Sequence, residues 1–274
     1  MSTSDGAVEA MFVPEDDDTV VATDLTQGPW DPNAQYGGAP AALLTWAVER
    51  VPTLVPMRIA RLTIDLHRPV PLGRLQVCAE IVRQGKRLQI VVATIRDPEG
   101  MEVARATALR FRLSDGPDAP TDPRLPPIEM LPWGPPREQN PGPRNVAEFM
   151  RAVEMRDAGA ESAAQTWYRA TKPVVAGVEP SPTVRVAWAS DFTANSGNYL
   201  DLTRWSAVNA DITITLGRAP RGEWTGVATR AWYARDGIGH ARADLFDRDG
   251  LIGTCTTSLL VDETAAPYQG KRET

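Results

Sequence analysis

The chain has 274 residues, of which 42% are hydrophobic and 23% are charged, and this composition is that of an ordinary globular protein with one or two domains. Its formal net charge of −6, without a run of Lys and Arg, argues against a nucleic-acid partner, because such binding depends on neutralising phosphates. The sequence has neither a long uncharged apolar stretch nor a basic N-terminal start with an apolar core, so we expect no membrane span, no signal peptide and a cytoplasmic protein.

The first predicted elements are a strand-like region, MFVPEDDDTVVATDL, and a helix, GGAPAALLTWAVERV at residues 37–51. The helix shows no polar face until Glu49, which predicts that it is buried on nearly all sides. Two interpretations of Gly37 and Gly38 stay open. Exposed N–H groups at a helix start suit an anion or a developing oxyanion, or the glycines serve only close packing against a neighbouring strand.

A meander of strands follows the helix. RIARLTIDLHRPV alternates apolar and polar positions, as a half-buried strand does. Two or three further strands are predicted up to residue 113, separated by the turn sequences RQGKR and RDPEG. Residues 114–144 are dense in Pro and form a predicted linker, because Pro fits neither a helix interior nor a central strand. We therefore place a first domain at residues 10–113.

The second half repeats this order. FMRAVEMRDA and QTWYRAT are strand-like, NYLDLTRWSAVN at residues 198–209 is the predicted helix, and ADITITLGRAP opens a second meander that runs to TSLLV. We place a second domain at residues 145–263.

The two halves are related by an internal repeat. Residues 62–109 placed on residues 212–259, an offset of 150, give ten identities in 48 ungapped positions, Thr63/Thr213 and Thr107/Thr257 among them. Chance would give about three. Each half is therefore predicted to be the same α+β unit, an antiparallel sheet with one buried helix.

Five stretches carry a family resemblance: QYGGAPAALL, LTIDLHRPVPLG, NADITITLGRAPRGEW, ARDGIGHARADLFDRDG and TSLLV. In this order they resemble the double-hotdog acyl-CoA thioesterase II family, especially its actinobacterial thioesterase-like branch, across both halves of the chain. The resemblance implies a tandem hotdog fold of class α+β, in which antiparallel curved sheets each wrap one long central helix. It also implies hydrolysis of an acyl-CoA thioester without cofactor or metal, a role in fatty acid metabolism, and a possible homodimer of double-hotdog chains.

The resemblance also implies site residues. The family holds the attacking water with an Asp on the first meander strand of the second domain, a hydroxyl residue on the next strand and a Gln near the last strand. These positions fall on Asp211, on Ala231 with Thr229 two residues earlier on the same strand face, and on Thr257. Because two of the three groups are altered, a non-catalytic acyl- or acyl-CoA-binding protein is the alternative. The residues expected to line the substrate site are Tyr36, Gly37, Gly38, Asn195 and Gly197.

Other polar residues are assigned structural roles. Arg68 and Arg218 occupy equivalent positions in the repeat, which favours a structural salt bridge in both halves over substrate binding. Cys78 and Cys255 lie far apart in strand-like runs and are interpreted as buried free thiols of a reducing compartment. With only two histidines in the chain and none at a helix entry, neither a zinc site nor a hydratase of the same fold is favoured.

Overall fold

The computed structural model describes residues 9–116, 129–137, 148–158, 164–196, 198–201 and 204–263. Within these residues the two halves share one open antiparallel sheet of 13 strands. The family resemblance led us to expect antiparallel sheets, and the structure confirms this part of the prediction.

The first half has the predicted order of strand, helix and meander. Its elements are β1 (Phe12–Pro14), β2 (Thr19–Ala22), α1 (Gly38–Arg50), β3 (Met57–Leu66), β4 (Gly73–Arg83), β5 (Leu88–Arg96) and β6 (Glu102–Arg112), with a short 3-10 helix at Asp24–Thr26. The second half comprises a 3-10 helix at Glu148–Ala152, then β7 (Val153–Asp157), β8 (Gln165–Ala170), α2 (Pro182–Ser190), α3 (Phe192–Ser196), β9 (Trp205–Asn209), β10 (Asp211–Leu216), β11 (Thr225–Tyr233), β12 (Ile238–Asp247) and β13 (Gly250–Glu263).

The helix prediction for the second half was wrong. Residues 205–209 form β9, which pairs with the end of the long strand β13, and tertiary pairing therefore overrides the local pattern. The helix begins instead at Pro182, where the Ser181 hydroxyl caps the N–H of Val184; Ser followed by Pro is a helix-start signal. This helix is also interrupted at Asp191, so among the described residues one long helix occurs in the first half only, the 13-residue α1.

The two halves join through β3 and β10, which run antiparallel at the centre of the sheet. Thr63 pairs with Thr213 and Ile64 with Ile212. Because the repeat makes Thr63 and Thr213 equivalent to each other, an axis of approximate two-fold symmetry must pass between them. The buried Ile64 and Ile212 lie beside this axis on the core side of the sheet.

The ungapped repeat alignment was wrong by one residue in the last strand. Thr63 pairs with Thr107, whereas Thr213 pairs with Thr256 rather than with Thr257. Between equivalent paired positions, five residues separate Arg96 from Glu102 in the first half, whereas four separate Phe246 from Leu251 in the second, and this difference of one residue shifts the register. A shift of one residue moves a side chain to the other face of a sheet, and Thr257 is accordingly buried on the core side.

Helix α1 is covered on two sides, which explains its missing polar face. Strands β4, β5 and β6 pack on one side and α2 packs on the other. The two helices run in opposite directions, since Gly38 at the start of α1 contacts the Trp188 carbonyl near the end of α2. Small residues of α1 such as Ala39 and Ala42 are fully buried and permit this close approach.

A buried arginine closes the C-terminal end of α1. Arg110 of β6 is 4% exposed and donates to the backbone oxygens of Val48 and Val51 and to the Gln89 side chain. The last carbonyls of a helix otherwise have no partner within the helix. Burial lowers the pKa of Arg110, and the nearby Glu49 carboxylate opposes this effect.

We expect Arg110→Met to lower the free energy of unfolding by roughly 2–3 kcal/mol, because it leaves buried acceptors without a donor. Chemical denaturation would measure this loss. The matched control is Arg112→Met, which removes an exposed arginine two residues further along β6 and should change the stability by less than about 0.5 kcal/mol. Equal effects of the two substitutions would show that Arg110 does not hold the helix end.

Candidate active site

A cavity of about 390 Å³ lies where the two halves meet. Its walls come from the loop before α1, the end of β3 and the segment after it, the α2–α3 junction, and the end of β9. Most of the lining is apolar, with Trp30, Pro40, Val70, Phe149 and Leu260 among the contributors. A largely apolar pocket with few polar groups is the usual form of a small-molecule site.

Tyr36 supplies an aromatic wall rather than an acid or base. Its ring stacks on Phe149 with centroids 4.3 Å apart. Trp188 Nε1 donates to the Tyr36 hydroxyl, which in turn donates to Met11 Sδ at 3.7 Å. Burial raises the pKa of Tyr36 well above its ordinary value, so the phenol stays neutral with its hydrogen bonds satisfied.

Asp191 is the carboxylic acid buried in the cavity. It caps the C-terminal end of α2, is 6% exposed and lines the cavity. The Gly38 N–H at the start of α1 and the side-chain amide of Asn209 donate to the carboxylate. Burial raises the pKa of Asp191 to about 6, although these two hydrogen bonds oppose the shift. No motif in the sequence singled out this residue.

The two glycines at the start of α1 are needed for different steric reasons. A Cβ atom on Gly37 would lie 2.5 Å from Asp191 Oδ1, and one on Gly38 would lie 2.6 Å from the Trp188 carbonyl oxygen. Gly37 therefore admits the carboxylate, whereas Gly38 admits the neighbouring helix. The Gly38 N–H donates to an anion of the protein itself, the Asp191 carboxylate, and the close packing at Gly38 is against α2 rather than against a neighbouring strand. Gly37 lines the cavity, and its N–H has no acceptor among the residues that the structure describes.

Asp211 lies outside the cavity lining, next to Ala210, which belongs to it. Its Oδ1 accepts a hydrogen bond of 2.7 Å from the Ser258 N–H. Asp211, Thr213 and Thr215 alternate with buried residues along β10, so their side chains lie on the face of the sheet opposite to the core.

The two threonines predicted beside Asp211 lie on the core face instead. Thr257 is 1% and Thr229 is 6% exposed. Thr257 Oγ1 donates to the backbone oxygen of Asp211 at 2.6 Å, and within the described part of the chain Thr229 Oγ1 is buried without a partner. The structure therefore does not bring the three side chains to one point.

The residues predicted to line the substrate site are not all at the cavity. Tyr36 and Gly37 line the cavity, and Gly38 contacts its carboxylate. Asn195 belongs to α3, and Gly197 lies outside the described residues.

A second pocket, of about 430 Å³, occupies the place related to the first by the repeat. Met57, Arg58 and Ile59 line it, and the offset of 150 relates them to residues 207–209 of the first cavity.

The lining of this second pocket includes several charged residues, Glu49 and Arg110 among them. Arg58 donates to the backbone oxygens of Leu216 and Gly217 at 3.3 and 2.7 Å. The two sites are therefore chemically different.

The fold and the cavity define a two-unit hotdog protein with an acid-bearing apolar site between the units. Residues 26–111 match the acyl-CoA thioesterase N-terminal domain and residues 114–261 match the acyl-CoA thioesterase C-terminal domain. The chain belongs to the acyl-CoA thioesterase family.

Solved structures agree in fold. The chain is similar to a hot dog fold protein of unknown function from Alicyclobacillus acidocaldarius (TM-score 0.66, 16% identity, covering 92% of this chain and 95% of that chain). It is also similar to the acyl-CoA thioesterase II TesB2 of Mycobacterium marinum (TM-score 0.63, 15% identity, 96% and 97%) and to a tesB protein of Mycobacterium avium (TM-score 0.61, 15% identity, 92% and 96%). No curated protein matches the chain. The helices in the described residues are all too short or too polar to cross a membrane.

The raised pKa of Asp191 predicts a stability effect. Since the folded pKa of about 6 exceeds the ordinary pKa of 3.8 for an aspartate, the native state holds more protons between these two pH values, and the stability falls as the pH rises through this window. Asp191→Asn removes this penalty. We expect the variant to gain up to about 3 kcal/mol at pH 8, with a smaller gain near pH 4.

Denaturation at a series of pH values would measure the effect, with Asp244→Asn, which changes an exposed aspartate, as the control. If Asp191→Asn were less stable than the parent at pH 8, the ionised carboxylate would be a structural cap of α1 rather than a strained functional group.

Proposed function

We propose that the protein hydrolyses an acyl-CoA thioester to the free acid and CoA, with Asp191 as the general base. The observation that carries the proposal is a carboxylate of raised pKa, buried in an apolar cavity and facing the start of a helix. Membership of the acyl-CoA thioesterase family supports the reaction type.

In the proposed mechanism the acyl chain lies along the apolar wall that includes Tyr36 and Phe149. The thioester carbonyl oxygen lies near the Gly37 N–H, where the positive end of the α1 dipole stabilises the negative charge of the tetrahedral intermediate. A water molecule held by the Asp191 carboxylate gives one proton to this carboxylate and attacks the carbonyl carbon. When the tetrahedral intermediate collapses, the C–S bond breaks, and the CoA sulfur leaves as a thiolate that takes up the proton from Asp191.

Asp191 has the hydrogen-bonding capacity for this role. An ionised carboxylate can accept about four hydrogen bonds, and the Gly38 N–H and the Asn209 amide supply two. A water molecule can therefore be bound as well. A base is most effective when its pKa is close to the working pH, and burial brings the pKa of Asp191 to about 6.

The family resemblance supports a second assignment, in which Asp211 orients the water with Thr229 and Thr257. In its favour, Asp211 adjoins the cavity residue Ala210, and Thr257 already contacts the Asp211 backbone. Either assignment places the acid on the second hotdog unit. Turnover by matched variants decides between them.

We expect Asp191→Asn to lower kcat by about 10²–10⁴-fold, measured as release of free thiol from a panel of acyl-CoAs, because the amide cannot accept the proton. Asp211→Asn should retain activity within about threefold. The reverse pattern would support the assignment to Asp211 and contradict ours. A parent protein that binds acyl-CoA but releases no thiol from any member of the panel would instead support a binding protein.

The pH dependence provides an independent check. Because the base must be ionised, kcat/KM should fall about tenfold per pH unit as the pH drops below about 6 and should level off above pH 7. Initial rates in buffers of constant ionic strength would measure this profile. An acid limb centred near pH 4 would contradict the assignment to a carboxyl group of raised pKa.

A further inference from the structure

Arg68 lines the cavity, and its guanidinium has no ion-pair or hydrogen-bond partner among the residues that the structure describes. We propose that Arg68 binds the phosphate groups of the CoA moiety at the mouth of the cavity and thereby selects a phosphorylated thioester. This inference rests on the proposed function and adds to it the recognition of the leaving group.

The equivalent arginine in the second half has a structural role. Arg218 donates to both carboxylate oxygens of Asp247, a residue that is 1% exposed. It also donates to the backbone oxygens of Leu251 and Gly250 at 3.0 Å each. These bonds tie the start of the loop after β10 to the β12–β13 turn, so the prediction of a structural salt bridge is confirmed for Arg218.

Arg68 does not repeat this arrangement, and the prediction was wrong for it. The repeat counterpart of Asp247 is Asp97, whose carboxylate accepts instead from the Met101 N–H at 2.8 Å within its own turn. Within the described part of the chain, the Arg68 guanidinium has no ion pair or hydrogen bond. Only its backbone N–H is engaged, with the Val103 carbonyl. The side chain is exposed and contributes to the cavity lining.

The other ionisable groups that line the cavity, Asp31, Asp191 and His67, have contacts of their own and form no ion pair with Arg68. The Asp31 carboxylate accepts a hydrogen bond from the Asn33 N–H at 2.8 Å, and the Asp191 carboxylate is buried in the site. His67 lies beside Arg68 in the lining, with Nδ1 3.8 Å from Glu102 Oε1. Arg68 is therefore the permanently charged cation among the described residues that line the cavity.

The chemistry of the substrate explains why a cation is useful here. CoA carries a pyrophosphate and a 3′-phosphate, whereas the protein has a formal net charge of −6 and so repels polyanions at long range. A guanidinium presents two parallel N–H groups to phosphate oxygens. An unpaired arginine at the mouth would hold the anionic end of CoA while the acyl group occupies the apolar cavity.

The test compares Arg68→Ala with the parent protein on three thioesters of one neutral acyl group: acyl-CoA, acyl-dephospho-CoA and acyl-pantetheine. With acyl-CoA we expect KM to rise about tenfold, which corresponds to about 1.4 kcal/mol, and kcat to stay within about twofold. The rise should shrink at high salt, because screening weakens contacts between exposed charges. With acyl-pantetheine, which has no phosphate, the variant and the parent should have equal KM values.

Acyl-dephospho-CoA distinguishes the two phosphate sources. A tenfold effect of Arg68→Ala that persists with this substrate assigns the contact to the pyrophosphate, and an effect that disappears assigns it to the 3′-phosphate. Arg68→Lys should recover part of the loss. The matched control is Arg83→Ala, which removes an exposed arginine from the far end of β4 and should leave all three KM values unchanged.

Two outcomes would overturn the inference while the proposed function stands: an unchanged KM for acyl-CoA, or an equal rise for acyl-CoA and acyl-pantetheine. Absence of turnover by the parent protein on all three thioesters would instead contradict the proposed function itself. Binding of radiolabelled CoA by the parent and by Arg68→Ala would then test the phosphate contact separately, with equal affinities counting against it.

Discussion

The antiparallel pairing of β3 with β10 is the constraint on which the remaining geometry depends. It fuses two sheets into one and fixes an approximate two-fold axis between Thr63 and Thr213. Because the axis relates the halves, the helix of each half lies beside the other and runs in the opposite direction. The end of α2 therefore lies at the start of α1, and this places Asp191 against Gly37 and Gly38.

The energetic consequence is a carboxylate in a conflicting environment. Burial favours its neutral form, whereas the Gly38 N–H and the Asn209 amide favour its ionised form. A group whose own environment opposes its charge reduces the stability of the fold and is most often retained for function. In the proposed mechanism the helix start that partly stabilises the carboxylate also donates the Gly37 N–H to a substrate oxygen, so one helix end would serve both parts of the chemistry.

Much of the fold was predictable from the sequence, because its signals are local. The alternation of apolar and polar residues gave the strands of both meanders, and the apolar run after Gly38 gave α1. The second helix was misplaced because β9 depends on pairing with β13, a contact between distant residues. Asp191 was missed for a similar reason. Its partners include Gly38, which is far away in sequence, and no spacing rule connects a residue at the end of one helix with the start of another.

Equivalent positions of the two halves carry out different roles, which is where the structure departs from two-fold symmetry. Each half inherited an arginine at the same position, yet Arg218 binds Asp247, whereas Arg68 is exposed at the cavity. Likewise Arg58 bridges to backbone oxygens in the second pocket, whereas its counterpart Val208 leaves the first cavity apolar. In a homodimer of identical units both sites would have to change together. In a fused pair one site can become a charged structural contact, while the other keeps the apolar wall that we propose for an acyl chain and the exposed arginine that we propose for its carrier.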